Sequence, residues 1–312
     1  MPSLVVPERA FLLGTERRKT AMLKLGFIGA GTVGTALARR LSERQYPVVA
    51  VFSRTPDSTN RLARAVDGCQ VVESGQAVAD VAELIFITTP DDAVGPVVAG
   101  IEWHPGQSVV HCSGADSVDT LETARKQGAG VGAFHPLQTF ASVEQAISNI
   151  AGSTFALEAG EPLLSTLKEL AHALDGHPIE LRPGAKVLYH AAAVIACNYM
   201  VTLVKLATDL WQTFDVAPDE ATQALLPLLR GTIANIDRVG IPQGLTGPIA
   251  RGDTGTIRKH LEALEKAAPA VLSTYCDLGR QTVPIALAKG KIDNKQAEEL
   301  LALLKDNPSG KD

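Results

Sequence analysis

Residues 23–40 read LKLGFIGAGTVGTALARR, and this stretch decides the fold. An apolar run carrying Leu25, Phe27 and Ile28 leads into Gly29-Ala30-Gly31-Thr32-Val33-Gly34, and the amphipathic run Thr35–Leu41 follows. The order is strand, tight turn, helix N-terminus. Each glycine in it has its own task. Gly29 permits the turn, Gly31 lets the backbone approach a pyrophosphate, and Gly34 lets the helix pack closely on the strand. The helix then offers unpaired N–H groups and its positive dipole end to phosphates. A glycine turn alone is a weak signal, but the strand before it and the helix after it favour dinucleotide binding over a purely structural turn.

A second apolar run, Pro47–Phe52, ends about 20 residues further on, where an acid would take the ribose 2′-hydroxyl of NAD. Ser53, Arg54 and Thr55 stand there instead, and the next acid is Asp57. A guanidinium and two hydroxyls suit a 2′-phosphate, so NADP(H) is the expected cofactor.

The composition agrees with a folded protein of two domains: 312 residues, 46% hydrophobic and 20% charged. A net charge of −5 argues against a nucleic-acid partner. Cys69, Cys112, Cys197 and Cys276 form no C-x-x-C pair and read as reduced, mostly buried residues of a cytoplasmic protein. No metal site is expected. Residues 1–22 read as an optional or disordered extension, because they lack the basic-then-apolar order of a secretory signal and their acids fit a transit peptide poorly. The polar tail from Asp306 is expected to fray.

From Leu23 onward short apolar runs alternate with helical patterns, the mark of a mostly parallel sheet wound on both faces. The expected strands are Lys24–Ile28, Val48–Phe52, Gln70–Val72, Leu84–Thr88, Ser108–His111, Gly130–Ala133, Thr154–Leu157 and Ile179–Leu181. Helical stretches lie at Ser58–Ala65, Ala93–Gly100, Val118–Lys126 and Pro162–Ala173. Near Arg182-Pro183-Gly184 the character changes, which gives a dinucleotide-binding domain over 23–184 and an all-helical domain over 185–312. The longest helix, Lys186–Phe214, is apolar on nearly every side and must be buried inside the helical domain or in a subunit interface. His190, Asn198, Tyr199 and Lys205 interrupt it too often for a membrane span. Helices at Pro218–Val239, Thr254–Lys266, Ala270–Ala288 and Asn294–Leu304 complete the chain.

Ligands of such a sheet bind beyond the carboxyl ends of its strands. Thr88, Thr89 and Pro90 would wall the nicotinamide ribose there, with Asp91 or Asp92 capping the next helix. After the fifth strand comes His111-Cys112-Ser113-Gly114, where His111 reads as structural and Ser113 joins the cofactor set. His135 precedes a proline, so its backbone is extended beyond the sixth strand. Its imidazole either bonds a substrate carbonyl or shapes the pocket. Lys186 and His190 are four apart on one helix face, and Asn198 returns near it. A lysine there would protonate the oxygen that gains charge as hydride adds to a carbonyl, with His190 and Asn198 orienting it. The structural alternative is that His190 and Asn198 tie helices together. Asn235 and the loop Leu245–Asp253 supply further polar groups, Thr246 and Arg251 among them, and Arg251 suits a carboxylate.

Taken together, these motifs resemble a bacterial family of Rossmann-like NADP oxidoreductases with an uncharacterised helical C-terminal domain. They are the glycine turn, Ser53-Arg54, Thr89-Pro90-Asp91, His111–Gly114, His135-Pro136-Leu137, the Lys186–Tyr199 helix, and Leu245–Pro248 through Arg251–Asp253. The resemblance runs from about Leu23 to Leu304, and the last two motifs are the specific ones. The wider group contains ketopantoate reductase-like, 6-phosphogluconate dehydrogenase-like and pyrroline-5-carboxylate reductase-like enzymes. It implies a doubly wound Rossmann domain followed by a 6-phosphogluconate dehydrogenase-like helical domain, a homodimer paired through that domain, and an NADP-linked reductase. In β-hydroxyacid dehydrogenases and ketopantoate reductases the catalytic lysine is followed four residues later by asparagine. Lys186 fits the first place, while His190 departs at the second and leaves the substrate open, with ketopantoate as the first 2-oxo acid to consider. An imine reductase of the pyrroline-5-carboxylate type and a non-catalytic NADP(H) redox sensor are the alternatives.

Overall fold

The computed structural model describes residues 23–305. The extension at 1–22 and the tail from residue 306 lie outside the described residues. The chain divides into two compact units, one ending at Val194 and the other beginning at Ile195.

The first unit is built on eight strands: β1 (Leu25–Ile28), β2 (Val48–Phe52), β3 (Gln70–Val71), β4 (Leu84–Ile87), β5 (Ser108–His111), β6 (Gly130–Leu137), β7 (Thr154–Ala159) and β8 (His177–Glu180). They lie in the order β3-β2-β1-β4-β5-β6-β7-β8. Every pair is parallel except β6 with β7. β1 (LGFI) and β4 (LIFI) are buried at every residue, as central strands covered on both faces must be.

Helices α1 (Thr32–Glu43), α2 (Pro56–Ala65), α3 (Gly75–Ala79), α4 (Asp91–Ala99), α5 (Glu122–Lys126), α6 (Val143–Asn149) and α7 (Leu163–Ala173) clothe the sheet. One face packs Leu37, Leu62, Ala146 and Leu167 against Val110 and a run of rings. The rings Phe27 and Phe86 stack at 4.9 Å, and the row continues through Phe134 to Phe155. Val78, Val94, Val98 and Leu121 cover the other face. Buried apolar area of this extent is the main stabilising term of the unit, at roughly 25 cal/mol per Å².

Three local expectations change. β6 does not stop at Ala133, because antiparallel pairing with β7 carries it on to Leu137, opposite Thr154. His135 and Pro136 therefore lie within the strand rather than beyond it. The stretch 118–126 splits into a 3-10 turn, Val118–Leu121, and the short α5, with Ser117 accepting the Asp119 N–H at the start. Helices α3 and α6 form where no helix is expected, each begun by a serine (Ser74, Ser142) that caps it.

The first unit ends in α8 (Lys186–Ala193), which runs into a π turn at Val194–Asn198 and then α9 (Tyr199–Gln212). The single helix expected over this span is thus interrupted. By length and composition the 27-residue stretch Lys186–Gln212 is nevertheless apolar enough to cross a bilayer. The polar interruptions do not remove that property. Its first residue is buried in the unit that carries the sheet, and Lys205 pairs with Asp209 at 2.6 Å. The described residues also leave the helix uncovered: Val187, Leu188, Ile195 and Val201 are 65 to 77% exposed. Among the described residues this helix is not buried.

The second unit continues with α10 (Pro218–Gly244), α11 (Thr254–Ala267), α12 (Pro269–Lys289) and α13 (Asn294–Leu303). Helix α10 passes the expected end at Val239, bending at Gly240, whose φ of 77° leaves the helical region. Ile257, Leu264, Leu272, Cys276, Val283 and Leu300 form the core of this unit. Asp253 caps α11 and Asp293 makes a capping box at α13, so both acids serve structure. All four cysteines are free, and Cys197 is exposed where burial is the expectation.

Candidate active site

The strand order reverses between β1 and β4, which opens a crevice beyond their carboxyl ends. A cleft of about 460 Å³ lies there, lined by Gly29, Ala30, Gly31, Ser53, Arg54 and Thr55 together with Thr88, Thr89 and Pro90. Nine of the residues expected at a cofactor thus line one cavity. Thr32, Val33 and Gly34 form the first turn of α1 beside it. Ser113 does not line this cleft; its hydroxyl accepts the N–H groups of Ala115 and Asp116 and shapes the loop after β5.

The three glycines differ in their surroundings. Gly29 has φ +106°, and a Cβ there would lie 2.6–2.8 Å from the Thr88–Thr89 backbone. At Gly34 a Cβ would collide with the Thr88 hydroxyl and lie 2.7 Å from the Gly29 carbonyl. Gly31 differs, because a Cβ there would meet nothing within 4 Å. No side chain caps α1, and no acid sits in its first turn. An uncapped helix start, open at Gly31, fits a pyrophosphate.

Thr88 ties the turn down by donating to the Gly29 carbonyl at 2.8 Å. Its neighbour Thr89 has a buried hydroxyl without a partner. Neither Asp91 nor Asp92 caps α4, whose N-cap is Pro90. After β2, Thr59 donates to the Ser53 and Thr55 carbonyls and fixes the loop, while Arg54 is exposed at the cleft. A fixed backbone with a free guanidinium and two hydroxyls fits a 2′-phosphate.

A second cluster lies on the sheet face opposite the phenylalanine row. Register places His111 beside Ala133, and Ala133 beside Glu158. Alternation puts these side chains on one face, with His135 one pleat further along β6. His111 is fully buried, and its Nδ1 accepts the Ser113 N–H at 3.2 Å, which leaves the ring proton on Nε2. Burial and the Lys186 charge push this histidine down to about 3, so it is neutral. Burial, then Lys186 and His190, bring His135 down to about 4. The His135 Nδ1 lies 2.8 Å from the Tyr189 hydroxyl. Burial raises Tyr189 to about 12, so the phenol keeps its proton; where it donates that proton to Nδ1, the His135 proton is on Nε2.

His135 and His190 meet edge to face at 6.2 Å. They do so over Gly114, where a Cβ would lie 2.5 Å from one ring and 2.9 Å from the other. Lys186 opens α8 and is 2% exposed, its Nζ buried without a partner. Burial lowers its ammonium to about 8 against the opposing pull of Glu158, Cys112, Asp116 and Asp91. Burial raises Cys112 to about 12, which keeps the thiol protonated.

Of the expected catalytic and substrate residues, the first unit brings Lys186, His190 and His135 together. The second unit places Thr246 and Arg251 on one cavity of about 490 Å³, joined there by Lys289 and Lys291. Lys289 donates to the Gln243 and Leu245 carbonyls and holds this loop. Asn198 closes the π turn and is exposed, and Asn235 accepts a bond from Arg238 at 3.4 Å. Neither lines that cavity. Glu158 and Tyr189 were not singled out by sequence. A lone acid in the apolar strand TFALEA was the available signal for Glu158.

A family model described as Rossmann-like domain matches residues 14–136, and one described as domain of unknown function (DUF2520) matches 153–282. The second match starts just before β7 and therefore includes Glu158 and Lys186. No curated protein is matched by the chain. Among solved structures, a candidate NADP oxidoreductase from Bacteroides fragilis is 26% identical over 84% of this chain and 98% of its own, with a TM-score of 0.67. A Thermotoga maritima protein is 25% identical over 85% and 99%, with a TM-score of 0.69. The pyrroline carboxylate reductase of Plasmodium falciparum, solved with NADP bound, is alike in fold alone, at 16% identity over 90% and 98% and a TM-score of 0.56. NADP-linked oxidoreductases are thus among the structural neighbours, and this chain carries a Rossmann-like domain followed by a match to DUF2520.

Proposed function

We propose that the protein is an NADP(H)-dependent oxidoreductase acting on the carbonyl of a small carboxylate compound, a 2-oxo acid with ketopantoate first among them. The observation that carries this reading is the buried, unpartnered amine of Lys186 beside neutral His135, in the unit whose β1–β4 crevice opens at Gly31 and Arg54. Gly29–Gly34 would hold the pyrophosphate, and Ser53, Arg54 and Thr55 the 2′-phosphate. When bound, the reduced cofactor supplies a hydride. A carbonyl that accepts it gains charge on oxygen, and Lys186, charged below pH of about 8, gives that oxygen a proton. His190 and the His135 Nε2–H orient the carbonyl, and the product is a 2-hydroxy acid. Arg251, with Thr246 and Lys289 on its cavity, suits the carboxylate. Asn198 and Asn235 remain in the proposal as orienting groups on the helices of the second unit.

The test is the loss of nicotinamide absorbance when NADPH meets a panel of 2-oxo acids and cyclic imines. Turnover with a 2-oxo acid supports the reading. Turnover with imines alone would make the acceptor a C=N bond, and tight NADPH binding without turnover anywhere would make the protein a sensor. Cofactor choice has its own test. Arg54→Ala is expected to weaken NADPH by about 10- to 100-fold, the worth of a charge-assisted hydrogen bond, and to leave NADH little changed. Equal losses for both cofactors in parallel titrations would remove Arg54 from the 2′-phosphate.

The reading includes a cytoplasmic homodimer paired through the long helices. Its support is the apolar side chains that the chain leaves bare: Leu188 and Val201 at 77 and 71%, and Leu228 and Ile241 at 67 and 62%. Exposed apolar surface on this scale calls for a partner, and a second copy supplies the same face by symmetry. Val201→Glu is expected to shift the mass by light scattering from dimer to monomer. An unchanged mass, or a monomeric wild type, would contradict the pairing.

A further inference from the structure

Helix α8 opens with Lys186-Val187-Leu188-Tyr189-His190, so Tyr189 and His190 stand three and four residues after the lysine. That spacing sets the three polar residues on one face, while Val187 and Leu188 are exposed. Lys186 and His190 have a place in the reaction proposed above. Tyr189 has none. Yet its hydroxyl lies 2.8 Å from His135 Nδ1, in the one side-chain hydrogen bond that reaches this imidazole among the described residues.

The His135 ring is held from three sides. The Tyr189 ring meets it edge to face at 5.6 Å, the His190 ring does so at 6.2 Å, and Gly114 lies against both imidazoles. Gly114 is buried, and a Cβ there would stand 2.9 Å from His135 Nε2 and 3.0 Å from His190 Nε2. The Nε2 edges of the two histidines thus converge on one spot, where a glycine leaves them room. With Nδ1 taken by Tyr189, Nε2 is the nitrogen that His135 presents there.

A neutral imidazole carries one N–H and one bare nitrogen, and the bond made at one nitrogen decides the task of the other. His135 is neutral, because burial pushes it down to about 4. A hydroxyl can donate or accept, so the bond at Nδ1 admits two arrangements. The phenol is the stronger acid of the pair and the imidazole nitrogen the stronger base, so the stronger bond has Tyr189 donating. We propose that Tyr189 is a positioning residue of this site: its hydroxyl donates to His135 Nδ1, orients the ring, and keeps the His135 proton on Nε2. This rests on the function proposed above for His135, whose Nε2–H would bond the substrate carbonyl, while the tautomer itself is independent of any substrate. With the bond reversed, a bare Nε2 would face the carbonyl oxygen and repel it.

The experiment is nitrogen-15 NMR of the full chain with labelled histidine at neutral pH, the His135 signals being assigned through His135→Gln. Long-range proton–nitrogen correlations within the ring report which nitrogen carries the proton. In wild type the proton is expected on Nε2, with Nδ1 at the shift of a nitrogen that accepts a hydrogen bond. Tyr189→Phe keeps the ring and removes the hydroxyl. It is expected to move the Nδ1 signal toward that of a free acceptor and to admit the Nδ1–H tautomer. It is also expected to lower kcat/KM about 10-fold, the worth of one hydrogen bond, on whichever substrate the NADPH panel identifies. A tyrosine that served packing alone would leave the nitrogen signals in place. A wild-type His135 protonated on Nδ1, which needs no variant to detect, overturns the proposal. So does a Tyr189→Phe protein with unchanged His135 signals, or one whose kcat/KM stays at the wild-type value. An Nε2–H tautomer released by Tyr189→Phe, without turnover on any substrate, supports the role of Tyr189 and counts against the function alone.

Discussion

Lys186→Ala is expected to lower kcat by about 10²- to 10⁴-fold, the usual contribution of a positioned proton donor, while NADPH affinity stays within a few-fold of wild type. The reason is local. Lys186 is the buried cationic donor of the cluster, and the histidines His111 and His135 are neutral. The sign of the pH dependence follows. Lys186 is charged below pH of about 8 and neutral above it. The kcat/KM for carbonyl reduction should therefore fall as pH rises through about 8, and that limb should vanish in the variant. Stability should move little or rise, because the substitution removes a buried charge that has no hydrogen-bond partner. A variant that keeps full turnover, or one that loses activity only by unfolding in a thermal melt, would displace Lys186 from the chemistry.

The second large effect separates two glycines a residue apart from each other. Gly31→Val is expected to fold with a Tm close to that of wild type and to lose NADPH binding by about 100-fold or more. Gly31 has φ −72°, which any residue adopts, and its missing Cβ would face open space at the uncapped start of α1. Gly29→Ala should do the opposite. With φ at +106° and backbone atoms 2.6–2.8 Å away, its methyl has no room, so the fold itself should lose about 3 kcal/mol or more. Thermal melts and cofactor titrations of the two variants side by side test the division. Equal destabilisation by both would mean that Gly31 also serves packing, and unimpaired NADPH binding by Gly31→Val would remove the pyrophosphate from this turn.

How the chain reveals itself in sequence depends on the range of the interactions. The glycine turn, β1 and β4, and Arg54 after β2 were legible because turn geometry, alternation and register act over a few residues. The extent of β6 was not legible, since only pairing with β7, some 20 residues away, carries it through His135 and Pro136. The π turn in the long helix was hidden too. Its residues, VIACN, are apolar and helix-compatible, and nothing local marks the change of pitch. Among the site residues, Lys186 and His190 were found from helical spacing. The bonds that Ser113 makes to Ala115 and Asp116 in its loop become visible only in three dimensions. Glu158 is a lone acid in the short strand TFALEA, and its burial follows only from the sheet around it.

On the proposed reading, one chain joins an NADP(H) cleft to a proton-donating lysine. The most direct measurement is a single-turnover mixing of wild type and Lys186→Ala, each loaded with NADPH, against the 2-oxo acid that the panel selects. Nicotinamide absorbance is expected to fall in wild type, more slowly above pH of about 8, and to fall about 10²- to 10⁴-fold more slowly in the variant with its NADPH still bound. Equal rates in the two proteins would contradict it.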